Sequence, residues 1–213
     1  MTERKPHTLS PDHPFPGEID IIDAHHHFLS LSRFPFHWLA PGTGPGRVGS
    51  KSRLRKDYLT EQYLEDFSRF PLTGSVHVQA NCGATDPAAE TRWLQAMHDE
   101  TGWPSAIVGE ADLLDPDFER LMRRHLENPA LRGIRTPVAW DSGNRWRIAP
   151  RPGVMADDRF RRGLSILETN GLTLDIVIVP EQFGELAELA KAHPDLPVVI
   201  NHFGTLEPDE AGN

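Results

Sequence analysis

The chain has 213 residues, of which 38% are hydrophobic and 25% charged, a balance that is typical of a globular domain and excludes a wholly disordered chain. The formal net charge of -9 argues against a nucleic-acid partner, because proteins that bind long polyanions are more often basic. A single cysteine excludes an intrachain disulfide, and the sequence has neither a signal-peptide pattern nor an apolar run of about 18 residues, so we expect a cytoplasmic protein that does not enter membranes.

Strand-like apolar runs alternate with helical patterns along most of the chain. Residues 1–17 are polar and rich in proline, and we expect a flexible arm ahead of one domain at 18–213. The strands are predicted, in chain order, at 18–24, 75–80, 106–113, 131–138, 172–179 and 196–203. The helices between them are predicted at 58–70, 86–100, 115–127, 157–170 and 181–192. Asp86-Pro87 and Asp115-Pro116 mark two helix starts, because aspartate caps a helix and proline fits its first turn.

This βα rhythm fits either a doubly wound sheet or a TIM barrel. The later strands are continuous apolar runs, as expected for parallel strands that are buried on both faces. A dinucleotide-binding sheet would place a glycine-rich turn after the first strand, whereas here three histidines follow Asp23-Ala24. Chemistry at the carboxyl ends of strands is typical of TIM barrels, so we predict a (β/α)₈ barrel of which about six units are present.

Histidines at two predicted strand ends form the strongest candidate site. Side chains alternate along a strand, so Asp23, His25 and His27 are expected to share one face and His26 to point the other way. His202 ends the sixth predicted strand at the equivalent rim position. Three converging imidazoles are ligands that zinc prefers, with a position left for water, although a polar strand end without a ligand role is the alternative.

Other polar residues near the predicted strand ends are candidates for substrate binding. Arg135 on strand four either binds a substrate carboxylate or forms an ion pair with a barrel acid such as Glu110 or Asp175. Gln79 is positioned to hydrogen-bond substrate, and Trp38 is a candidate wall of the pocket. Glu110 is itself a candidate ligand, base or arginine partner. A further residue near this rim, Cys82, is predicted to be a buried free thiol, and His77 to pack deeper in the barrel.

Several segments resemble the amidohydrolase family 2 proteins, and most closely the branch of predicted metal-dependent hydrolases that includes lactonases. These segments are DAHHHF at 23–28, RFPFHWLAP at 33–41, LRGIRTP at 131–137 and PVVINHFG at 197–204. The resemblance extends from about residue 19 to residue 204. It implies a TIM barrel, an HxH pair at His25 and His27, a strand-six histidine at His202, and a carboxylate-binding role for Arg135. It also implies either one divalent ion, with zinc the first choice, or catalysis without metal.

We therefore expect a hydrolase whose substrate is a small molecule, a lactone or a related carbonyl compound that carries a carboxylate. The sequence is compatible with a monomer or an oligomer. Family members carry an aspartate at the end of an eighth strand, and the present sequence reaches Asn213 without one. Two alternatives follow: a metal-dependent decarboxylase of the same superfamily, or an inactive fragment that another chain completes.

Overall fold

The computed structural model describes residues 20–44 and 49–206. The arm predicted at 1–17 lies outside these residues. Six strands occur in the described part, and they are β1 (Ile21–His26), β2 (Leu72–Val78), β3 (Ala106–Glu110), β4 (Leu131–Pro137), β5 (Thr173–Val177) and β6 (Val198–Ile200). The helices are α1 (Thr60–Asp66), α2 (Ala88–Thr101), α3 (Phe118–Leu126), α4 (Asp158–Thr169), α5 (Phe183–Ala192) and a short segment, α6 (His202–Thr205).

The strands form one parallel sheet in the order β1-β2-β3-β4-β5-β6, and the sheet curls into an incomplete barrel. Each strand pairs with the next strand in sequence, as successive βα units of a TIM barrel do. The predicted architecture is therefore confirmed. None of the helices in the described ranges is long and apolar enough to cross a membrane.

The main core lies between the sheet and the helices. Ile107 and Ile134 of the strands and Leu94, Met122 and Leu164 of the helices are almost fully buried there. Burial of such side chains is the main source of folding free energy, so the helices are held mainly by these apolar contacts. The core fixes the strands, and with them the residues that follow each strand at its carboxyl end.

The helix start predicted at Asp86-Pro87 lies just before α2, whereas α3 begins at Phe118 and therefore later than the start predicted at Asp115-Pro116. The Asp86 carboxylate accepts the N–H of Ala88, at 3.1 Å, at the start of α2. Asp157 accepts the N–H of Arg159 in the first turn of α4. Gly171, which follows α4, has a positive φ of 63°, as expected for a residue that ends a helix.

The sixth strand is shorter than predicted and does not include His202. It ends at Ile200, and His202 begins α6, where His202 and Phe203 have left-handed φ angles of 52° and 53°. The paired register with β5 also ends at Ile200. In the described residues β6 is paired only with β5, so pairing on a second side does not extend it.

Candidate active site

Three of the predicted site histidines lie close together at the carboxyl ends of the strands. The ring centroids of His25 and His27 are 5.1 Å apart, and those of His25 and His202 are 5.0 Å apart. His25 and His27 come from the end of β1, whereas His202 reaches the same place from the turn after β6. The structure therefore brings together two ends of the curled sheet that are separated by more than 170 residues of sequence.

Arg135 joins this group from β4. Its Nη2 donates to Nε2 of His202 at 3.1 Å, and its Nη1 donates to the backbone carbonyl of Gln79 at 3.3 Å. In the parallel register Arg135 lies between Glu110 on β3 and Asp175 on β5. Within the described ranges, neither carboxylate forms an ion pair with it, and its Nε is buried without a hydrogen-bond partner. The structural ion pair considered as an alternative is therefore not formed.

Asp175 is satisfied by neutral partners instead. Its two carboxylate oxygens accept hydrogen bonds from Asn201 Nδ2 at 3.0 Å and from Thr173 Oγ1 at 3.2 Å. Burial raises the pKa of Asp175, while these hydrogen bonds and the Arg135 charge act in the opposite direction. Burial likewise lowers the pKa of Arg135, against the effect of Asp175 and Glu110. The guanidinium thus retains donor capacity that no carboxylate of the described chain uses.

Asp23 does not follow the simple alternation expected for the first strand. Its Oδ2 accepts the hydroxyl of Tyr63 at 3.1 Å, on α1, and Tyr63 also stacks on His26 with the ring centroids 4.4 Å apart. The pairing explains this, because Asp23 pairs with Ser75 and His26 with His77, which inserts one extra residue in β1. The prediction that Asp23 shares the face of His25 and His27 is wrong, whereas His26 does point away.

Gln79 and Trp38 lie at the same rim but make local contacts. The Gln79 side-chain oxygen accepts the N–H of Asn81 at 2.6 Å, just beyond the end of β2. Trp38 donates its indole N–H to the Ala80 carbonyl at 3.0 Å. Both side chains therefore hold the segment after β2 in place, and a role in substrate binding stays a prediction for each of them.

The site histidines are held in their neutral form. Burial lowers the pKa of His25 to about 4, and the nearby His27 adds to this effect. Burial also lowers the pKa of His27 to about 4, with a smaller contribution from His77. For His202, burial and the Arg135 charge lower the pKa. Neutral imidazoles can accept a proton or bind a metal ion, so this electrostatic setting suits either task.

The donor set fits a divalent ion at two of the three histidines. The Nδ1–H of His27 donates to the Val78 carbonyl at 2.7 Å, which leaves its Nε2 lone pair free, as in metal-bound histidines with an oriented ring. His25 Nε2 is buried without a hydrogen-bond partner in the described chain. The Nε2 lone pair of His202 is instead used by Arg135. His25 and His27 therefore suit a metal ion, and His202 fits only if Arg135 releases it.

A second group of polar side chains was missed in part by the sequence patterns. Cys82, Glu90 and Glu110 place their ligand atoms within 4.8 Å of one another. Cys82 is a buried free thiol, as predicted, but Glu90 was not singled out, because it occurs among ordinary helix residues. No local signal reveals it, since only the packing of α2 on the sheet carries this carboxylate to the rim.

Comparisons with known proteins agree with this architecture. Residues 22–213 match the family model described as Amidohydrolase. The chain is 34% identical over 188 residues to the uncharacterized protein y4mH of Sinorhizobium fredii (strain NBRC 101917 / NGR234), covering 88% of the chain and 63% of y4mH. It is 25% identical over 183 residues to the L-fucono-1,5-lactonase of Burkholderia multivorans (strain ATCC 17616 / 249), covering 86% of the chain and 55% of that enzyme.

A crystal structure of an amidohydrolase from Burkholderia multivorans with bound zinc has the same fold. It superposes with a TM-score of 0.64 at 24% sequence identity, covering 88% of the chain and 58% of that protein. The chain thus spans 63% or less of the length of each of these relatives.

Proposed function

Because the chain belongs to the amidohydrolase family, we propose that it contributes the site of a hydrolase that opens a lactone or a related carbonyl compound carrying a carboxylate. The L-fucono-1,5-lactonase among the relatives supports a lactone as the substrate class. The observation that supports a carboxylate on the substrate is the half-buried guanidinium of Arg135, which lies beside the histidines and has no ion-pair partner in the described chain. A fixed guanidinium fork matches a carboxylate or a carbonyl oxygen that gains negative charge.

The residues of this chain have separate tasks in the proposed reaction. Arg135 binds the anionic group and so orients the scissile carbonyl toward His25 and His27. Without a metal ion, the neutral imidazoles accept a hydrogen bond from the attacking water and position it, because their lowered pKa values leave the lone pairs free at neutral pH. A divalent ion held by His25 and His27 would polarise the carbonyl and lower the pKa of water. Trp38 and Gln79 are proposed to border the substrate.

The proposal is tested by pairing substrates and variants. Proton release from a lactone that carries a free carboxylate, and from its carboxamide analogue, is measured with the 213-residue protein. We expect the carboxylate substrate to be preferred, and Arg135→Gln to remove the preference. Loss of a charged hydrogen bond of about 1.5–3 kcal/mol corresponds to a fall in kcat/KM of roughly tenfold to a hundredfold. Arg132→Gln is the matched control, because Arg132 lies on the same strand but is exposed.

Three outcomes would contradict this proposal. Carbon dioxide in place of simple addition of water would identify the decarboxylase alternative. Carboxylate binding that requires Arg135, without turnover of any substrate, would favour the catalytically silent alternative in which another chain or segment completes the barrel. Equal losses in Arg135→Gln and Arg132→Gln would show that the effect is not specific to the site.

A further inference from the structure

A compact group of metal-binding side chains lies beside the active-site rim and is not used by the proposed reaction. Cys82 follows β2, Glu90 lies in the first turn of α2, and Glu110 ends β3. The sulfur and the carboxylate oxygens lie within 4.8 Å of one another. Cys82 is 1% exposed and Glu90 2% exposed, and Glu110 is half-buried, so the group differs from the exposed acidic clusters that are common on protein surfaces.

His77 lies against Glu90 and is an independent observation that supports a ligand-binding role for this carboxylate. Its side chain is fully buried, and its Nδ1 accepts the N–H of Phe28 at 3.0 Å, so Nε2 carries the proton in the neutral ring. That N–H has no hydrogen-bond partner in the described chain and lies 3.6 Å from Oε1 of Glu90. A buried donor without a partner is destabilising, and this one is directed at the carboxylate. Donors of this kind orient carboxylates that bind metal ions.

The charges of the group are also incomplete. Within residues 20–44 and 49–206, no lysine or arginine forms an ion pair with Glu90 or Glu110. The backbone N–H of Ala80 donates to Glu90 at 3.2 Å, which satisfies one oxygen without supplying positive charge. A buried carboxylate beside a half-buried one, without a cation, is unfavourable unless a proton is taken up. A bound cation would supply the missing charge.

We propose that Cys82, Glu90 and Glu110 bind one divalent transition-metal ion, of which zinc is the best match, at a site formed by different residues from the rim histidines. A thiolate together with carboxylates selects zinc or a similar ion over magnesium or calcium, which prefer oxygen ligands alone. Zinc binds sulfur at about 2.3 Å and carboxylate oxygen at about 2.0–2.2 Å, so a small closure of the three side chains completes the site. Binding releases the thiol proton of Cys82, and the fourth position is left for water.

The site would have a structural role. It would link the segment after β2, the start of α2 and the end of β3, which are separate in sequence. Glu110 pairs in register with Arg135, so the ion would fix the neighbourhood of the proposed carboxylate-binding residue. This inference does not rest on the proposed hydrolysis, because metal binding is measured without a substrate.

The test is a cobalt titration of the chelator-treated 213-residue protein. We expect a thiolate-to-cobalt charge-transfer band in the near ultraviolet that saturates at one equivalent and disappears when zinc is added. Glu90→Gln and Glu110→Gln keep the cysteine but should weaken cobalt binding by about tenfold or more, which is the size of effect seen for groups around metal sites. Glu119→Gln is the matched control, because Glu119 is exposed on α3.

A second pair of variants distinguishes cobalt binding at this site from cobalt binding at the rim histidines. His25→Asn and His27→Asn should retain the band at full intensity, because a thiolate band reports only the cysteine site. Absence of the band from the wild-type protein would overturn the proposal and leave Glu90 and Glu110 as a carboxyl pair that shares a proton. A band that survives unchanged in both glutamine variants, or that is lost with the histidines, would also overturn it. The wild-type titration decides the matter even if a variant does not fold.

Discussion

At the scale of single residues, buried histidines are expected to make the free energy of unfolding depend strongly on pH. Burial lowers the pKa of a histidine below its ordinary value of 6.5 at five positions in the described chain, to about 4 or about 3. The residues are His25, His26, His27, His77 and His125. Each of these rings is neutral in the folded protein at neutral pH and becomes protonated on unfolding in mild acid.

We predict that the free energy of unfolding falls as pH decreases from about 6.5 to about 4. In that window the unfolded chain binds protons at these histidines and the folded chain does not, so protons favour unfolding. Glu90, Glu110 and Asp175 act in the opposite direction, because burial raises the pKa of each, that of Glu90 to about 7, but they are three carboxyl groups against five histidines. Urea unfolding at pH of about 7 and about 5 should differ by at least roughly 1 kcal/mol. Equal or greater stability in acid would contradict the prediction.

The sequence predicted which residues lie close together at the strand ends better than it predicted their contacts. The histidine cluster and Arg135 follow from residue types at strand ends, because a parallel sheet brings those ends to one edge. The hydrogen bond from Arg135 to His202 joins β4 to the turn after β6, and no local pattern encodes such a pair. The position of Asp23 was wrong because the extra residue in β1 arises from its pairing with β2, which is not visible in β1 alone.

At the scale of elements, the close packing of β4 against β5 depends on Gly133. Gly133 on β4 pairs in register with Thr173 on β5, and a Cβ at Gly133 would clash with Thr173 Oγ1 and lie 3.0 Å from the Thr173 carbonyl oxygen. Because the neighbour is partly backbone, the contact cannot be relieved by a rotamer change alone.

We predict that Gly133→Ala lowers the free energy of unfolding by about 1–3 kcal/mol, as overpacking of a tight interior does. Gly184→Ala is the control, because Gly184 lies in α5 and a Cβ there meets no atom within 4 Å. That substitution should be neutral or stabilising by up to about 1 kcal/mol, since alanine favours helix. Thermal and urea unfolding of both variants provide the measurement. Similar stability of the two variants would show that β4 and β5 move apart without penalty.

The order and type of the elements were predictable because each depends on local signals. Continuous apolar runs marked β3, β4 and β5, and Asp86-Pro87 marked the start of α2. The ends of the elements were less predictable. The apolar run at 196–203 reads as a long strand, but strand pairing stops at Ile200, so the length of β6 depends on its neighbour and not on its own sequence.

At the scale of the whole molecule, apolar side chains are exposed at the two edges of the sheet. In the described residues β1 and β6 each pair on one side only. Ile22 on β1 is 65% exposed, and Val199 and Ile200 on β6 are 45% and 43% exposed. Phe203, which follows β6, is 88% exposed. Unpaired backbone groups beside exposed apolar side chains form an edge that favours association with another strand.

We predict that the 213-residue protein self-associates through the β6 edge, so that its average mass in sedimentation experiments exceeds 23.9 kDa and rises with concentration. The double variant Val199→Lys, Ile200→Lys should lower the average mass toward the monomer value, because lysine on an edge strand opposes strand pairing and removes apolar surface. Leu126→Lys is the control, because Leu126 is 40% exposed at the end of α3. This helix connects β3 and β4, which are inner strands of the sheet. If exposed apolar surface in general caused the association, both variants would lower the average mass. If the β6 edge causes it, only the β6 double variant will do so. A constant mass of 23.9 kDa at every concentration would mean that the edge is protected, and the exposed side chains of β6 would then not be a site of association.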